Sequence, residues 1–185
     1  MPRRLLRDRQ IVDDDWLYAA ETVAGTPAAG ITAAGAPAAA APASAPRAAI
    51  ILSFDQWQTE RERWMAGGGR LGVVLLPAHK VEDVAADLEH LELIAAHFPG
   101  ASEGRGYTQA RLLRERHGFQ GELRAVGYVR ADQLFFMARC GFNSFELAEQ
   151  DLAPGLAAFS TFSTAYQASN DRGLALKLRH PRQPA

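Results

Sequence analysis

Residues 98–147 read FPGASEGRGYTQARLLRERHGFQGELRAVGYVRADQLFFMARCGFNSFEL. A glycine-rich loop opens a helical run at Tyr107. A strand follows over 122–127, then a helix over Gln133–Cys140, then a strand over 144–147. Upstream, 48–54 (AAIILSF) is a continuous apolar run, as in a strand covered on both faces; 71–76 (LGVVLL) reads as the next buried strand and 92–98 (ELIAAHF) as a short third one. Helical patterns separate them. One spans about 56–66 and is capped by Ser53 or Asp55; the other spans 81–91 with Val81, Val84, Ala85 and Leu88 on one side. Alternation of this kind defines an α/β fold of repeated βα units with a mainly parallel sheet. Two arrangements fit. One is half-TIM-barrel-like, with helices on one side; the other is an open doubly wound sheet. Short strands and regular spacing favour the first.

A half-barrel leaves an edge or an inner face exposed, which predicts a partner or a homodimer. In either arrangement, polar chemistry collects at the C-terminal ends of the strands. Those ends are Pro77–Lys80, Phe98–Gly106, Gly127–Gln133 and Leu147–Asp151.

Outside this core, residues 1–21 read as an N-terminal β-hairpin turning at Asp8-Arg9, with Asp13, Asp14 and Asp15 in a solvated turn. Residues 22–47 are nearly all Ala, Gly, Pro, Thr and Ser, and are expected to form a disordered linker. The α/β domain spans 48–168, closing on a helix from Asp151 to about Tyr166. Residues 169–185 form a basic, flexible tail.

Composition excludes several classes. The chain has 185 residues, 48% hydrophobic and 22% charged, with a formal charge of -1. That balance offers no overall attraction to nucleic acid or to an anionic membrane. The single cysteine, Cys140, cannot build a disulfide, a CxxC pair or an iron–sulfur cluster, and it precedes a helix-ending glycine where a thiol is not activated. The five histidines lack HxxxH or HExxH spacing, so no metal and no cofactor is expected. No secretory pattern or membrane-spanning run is visible, which places the chain in the cytoplasm.

Two motif matches fail on context. Gly67–Gly72 fits GxGxxG but ends a helix and opens a strand, the reverse of a dinucleotide fingerprint. Gly100–Gly104 fits GxSxG, yet Gly104-Arg105-Gly106 separates the serine from the helix.

The loop 99–106 carries the candidate chemistry. Its glycines let backbone approach a ligand, and Arg105 between Gly104 and Gly106 can aim at an oxyanion. Tyr107, Arg111 and Arg114 form a stripe on the next helix. Arg130 and Gln133 sit at the following strand end, where Asp132 caps a helix. Arg124 inside its strand needs a carboxylate, with Glu146 the nearest, and completes the candidate ligand-binding set. The alternative is a tight connection whose arginines pair with Glu103, Glu115 and Glu146. If the chain is an enzyme, Glu103 and Asp132 are the candidate bases.

The motifs Gly104-Arg105-Gly106-Tyr107, Ala110–Arg114, Gly121–Gly127, Asp132–Phe135 and Arg139–Phe142 resemble a bacterial family of unknown function. Its members are often encoded beside assimilatory sulfite reductase and are labelled oxidoreductases of sulfite reduction. The resemblance runs from the N-terminal hairpin to about Gln167, apart from the Ala/Pro stretch. It implies an accessory role in sulfur assimilation, with sulfite reductase or another enzyme of that process as partner. The alternative is a barrel-type enzyme or oxidoreductase acting on a small anion. The sequence departs from the family pattern at Glu103, where an aspartate is expected, at Tyr128, where an acid or amide is expected, and at Ala131, where a larger apolar residue is expected.

Overall fold

A computed structural model describes residues 3–19, 49–161 and 169–170. The linker expected over 22–47, the tail beyond Asn170 and the last turns of the helix expected to reach Tyr166 lie outside the described residues. The strands are β1 (Arg4–Arg7), β2 (Gln10–Asp13), β3 (Trp16–Tyr18), β4 (Ala49–Ser53), β5 (Arg70–Leu75), β6 (Leu93–Phe98), β7 (Glu122–Gly127) and β8 (Ser144–Phe145). The helices are α1 (Phe54–Ala66), α2 (Arg105–Arg111), α3 (Leu134–Cys140) and α4 (Leu152–Ala158). Ser53 caps α1 as expected: its Oγ accepts from the Gln56 N–H at 3.1 Å, and Gln56 Oε1 accepts from the Ser53 N–H at 3.0 Å.

All eight strands form one sheet in the order β2-β1-β8-β7-β6-β5-β4-β3. Neighbours from β3 to β8 pair parallel, while the β1–β2 hairpin joins β8 antiparallel. The two outermost strands are consecutive in sequence, with only Asp14 and Asp15 between them. Flat, eight strands would hold those edges roughly 34 Å apart at about 4.8 Å spacing. Three residues reach at most about 11 Å. The sheet must therefore curl, and one extended segment, Gln10–Tyr18, serves both of its edges.

The curl creates two cores. On the concave side, Trp16, Ala49, Ile51, Val74, Leu93, Ala95 and Val126 pack together, all from strands. On the convex side, the strands meet the helices through residues such as Leu52, Trp57, Val73, Ile94, Leu113, Leu134 and Leu152. Helices on one face only select the half-barrel-like arrangement over the doubly wound one. The inner face is not left open, however. Among the described residues, Trp16 and the polar groups beside it occupy the concavity.

Two local expectations change. The segment 81–91 forms two 3₁₀ turns, Val81–Asp83 and Ala85–His90, rather than an α-helix. Its inward residues Val81, Val84 and Asp87 recur every third position, the 3₁₀ period. Asp87 is drawn in by the indole N–H of Trp57, which donates at 3.2 Å. Beyond α2, a π-helical turn, Leu112–Arg116, shifts the phase of the helix. Arg114 therefore leaves the outer stripe with Tyr107 and Arg111 and points inward. It donates to the carbonyls of Phe119 (2.5 Å), Gly121 (3.0 Å) and Gly141 (3.0 Å) and to Asn143 Oδ1 (3.3 Å). Burial lowers its pKa, with Asp8 opposing the shift. Arg114→Ala strands these acceptors and is expected to cost about 2–3 kcal/mol, measured by urea unfolding.

Candidate functional site

The expected site residues fall into two places. Arg124 on β7 faces the concave side and is 0% exposed. Its guanidinium donates to Asp14 (3.0 Å), to Glu122 (2.7 Å) and to Glu146 (3.2 Å). The expected Glu146 pair is present, but it is one of three. Asp14 itself is buried and also bonds Arg3, so it is not part of a solvated turn. Tyr18 donates its hydroxyl to Glu146. Burial and the Glu146 charge push the Tyr18 phenol well above its usual range. Attraction to Glu122, Asp14 and Glu146 outweighs desolvation and raises the Arg124 pKa, so it is a permanent cation. With every carboxylate engaged, this cluster is a clamp that ties β7 and β8 to the β2–β3 segment. Arg124 has no room for a ligand.

The second place is a rim on the convex side, where α2 packs against α3. Gly104 precedes α2 without a side-chain cap, and its φ of -104° needs no glycine. Gly106 does need one, for packing: a Cβ there falls 2.6 Å from the Phe98 ring. Tyr107 lies between Phe98 and Phe136, with ring centroids 5.2 Å from each. The three rings form a ladder from the core to the surface, where Phe136 is 55% exposed. Burial raises the Tyr107 pKa, followed by the charges of Cys140 and Asp132. Cys140 is buried in the core, as expected.

Each rim arginine has a local carboxylate. Arg105 folds back on Glu103 in a two-pronged pair (Nε–Oε1 2.9 Å, Nη2–Oε2 2.7 Å). Arg111 bonds Glu115 at 3.1 Å, and Arg130 lies 3.7 Å from Asp132. Gln133 Oε1 accepts from the Arg130 N–H at 3.2 Å. Asp132, expected to cap α3, makes no such bond; its carboxylate is exposed and faces Arg130. The reason is a 3₁₀ turn, Ala131–Gln133, which puts Gln133 rather than Asp132 at the N-cap position of α3, where no side chain caps the helix.

The Arg105 side chain and backbone N–H hold the Glu103 carboxyl down to about 2. Such a group is a weak base at neutral pH. Its pairing is complete above the ordinary carboxylate range and is lost as pH falls through about 2. A carbon-13 NMR titration should find Glu103 still ionised at pH 3, and Arg105→Ala should return it to the ordinary carboxylate range.

Among the described residues, no group of three or more His, Cys, Asp or Glu side chains could hold a metal ion, and no helix is long and apolar enough to cross a membrane. A shallow cleft of about 270 Å³ is lined by Asp8, Arg9, Phe142, Asn143, Phe145 and Phe159, with Ala138 of α3. Sequence reasoning missed Asp14 and Phe136. The alternation Val12, Asp14, Trp16 was the available signal for the first, since it puts Asp14 on the inward face.

These features define a curled α/β protein with a plugged interior and a helical, arginine-bearing rim. Residues 72–176 match the family described as "Bacterial protein of unknown function (DUF934)", and the chain belongs to that family. No curated protein matches the chain.

Proposed function

We propose that this protein is a non-catalytic accessory of assimilatory sulfite reduction that docks on a reductase partner through Arg105, Tyr107, Arg111 and Arg130. The sulfur setting comes from the motif resemblance. Docking is favoured by one observation: Arg105, at the start of α2, and Arg130, on the segment leading into α3, are 63% and 64% exposed, and these two helices pack against each other. Exposed arginines beside aromatic rings are the composition of protein interfaces. Enclosed recognition of sulfite or sulfate is less well served, because these guanidiniums stand at exposed positions, each paired within its own segment rather than with the others around one centre. Neither candidate base suits catalysis: Glu103 is pinned by Arg105, and Asp132 is solvated.

The test compares partners captured from sulfate-grown cells by the wild type and by the double variant Arg105→Ala/Arg130→Ala. Sulfite reductase subunits should be captured by the first and lost with the second. An unchanged set of captured proteins would remove the rim from the account. Calorimetry with sulfite and sulfate should show no saturable heat; tight binding of either would favour the small-anion reading instead.

A further inference from the structure

Resting on that docking reading, we infer that Phe136 is the anchor of the rim, and that the surface it enters is an apolar pocket ringed by carboxylates on the partner protein. Phe136 is the most exposed aromatic ring among the described residues, at 55%. It is also braced. Tyr107 backs it at 5.2 Å, and Phe98, buried in the sheet, backs Tyr107 at 5.2 Å. A ring already held in place gives up little freedom when it is covered, which is the property of an interface anchor.

The surrounding charge selects the partner's chemistry. Leaving out the inward-pointing Arg114, residues 103–116 carry three arginines against two glutamates, and 130–140 carry two arginines against one aspartate, in a chain whose formal charge is -1. The rim is thus cationic on a slightly acidic protein. Arg105, Arg111 and Arg130 are held only by carboxylates of their own segments, at exposed positions where such pairs are weak. A guanidinium has five donors, so an incoming carboxylate can share it without displacing the local one. A second copy of this chain is a poor occupant. A two-fold contact through this face would set cationic rim against cationic rim.

The experiment measures binding of the purified chain to immobilised sulfite reductase holoenzyme from the same bacterium by surface plasmon resonance, at low and physiological salt. Phe136→Ser is expected to weaken binding about tenfold or more, chiefly through a faster off-rate. Wild-type on-rates are expected to fall as salt rises. The position is half exposed, so an unchanged thermal melt verifies that the variant is folded. If Phe136→Ser binds like the wild type, the anchor is refuted while the docking reading stands. If the wild type itself does not bind the reductase, both fall. Self-association in the ultracentrifuge that is abolished by Phe136→Ser, without reductase binding, would make a second copy the occupant and overturn the proposal.

Discussion

Arg124→Ala should lower stability by about 3–5 kcal/mol, enough to shift thermal unfolding by about 10 °C or to prevent accumulation of folded protein. The substitution leaves the largely buried carboxylates of Asp14, Glu122 and Glu146 gathered with their shared cation gone. Arg3 remains beside Asp14 and Glu146, and Arg7 beside Glu122, so the carboxylates are not wholly abandoned. That bounds the loss from above. Two controls separate charge from volume. Arg124→Met keeps the stem but strands the same carboxylates, and should fare nearly as badly. Adding Asp14→Asn to Arg124→Met removes one of the stranded charges and should recover part of the loss. Urea unfolding of the three variants decides the matter. A stability within about 1 kcal/mol of wild type for Arg124→Ala would mean the clamp does not hold the sheet closed.

Gly127→Ala should be nearly as damaging, at about 3 kcal/mol or more. Gly127 ends β7 with φ at +88°, a conformation L side chains rarely adopt. A Cβ there would press on the Phe98 carbonyl oxygen and come within 3.0 Å of the His97 ring. Both neighbours are fixed: the Phe98 carbonyl accepts from the Tyr128 N–H at 2.7 Å, and His97 is buried, which lowers its pKa. The chain turns at Gly127 toward Arg130, so the same substitution should also disturb the rim. Gly100→Ala and Gly104→Ala are the matched controls. A Cβ at either position meets nothing within 4 Å, and both should melt like the wild type. Equal melting of Gly127→Ala and the controls would refute the assignment.

The helix-and-strand alternation was readable because the buried strands are mostly apolar: AIILS in β4 and LIAAHF in β6 each hold a single polar residue. The site was less readable, because a guanidinium's partner is set by how the chain folds back. Arg124 needed a carboxylate on any reading, and Glu146 lay on the next strand. Asp14 lay 110 residues away and became its neighbour only through the curl. Arg114 shows a second limit. Its helical phase could be projected from Tyr107 and Arg111 only if the helix stayed regular, and the π-turn at 112–116 breaks that projection. The glycines show a third. Gly104 and Gly106 look alike in sequence, but only Gly106 has a ring packed against it.

The segment Gln10–Tyr18 has a consequence for biosynthesis. Together with β1 it leaves the ribosome well before its partners, for β1 pairs with β8 at residues 144–145 and β3 pairs with β4 at residues 49–51. At roughly 5–20 residues per second, the opening strands wait on the order of ten seconds before their distant partner emerges. During that interval Leu5, Leu6 and Trp16 have no core to enter. Nascent chains halted before residue 144 should therefore remain protease-sensitive at their N-terminus, and become protected only once the final strand is clear of the exit tunnel.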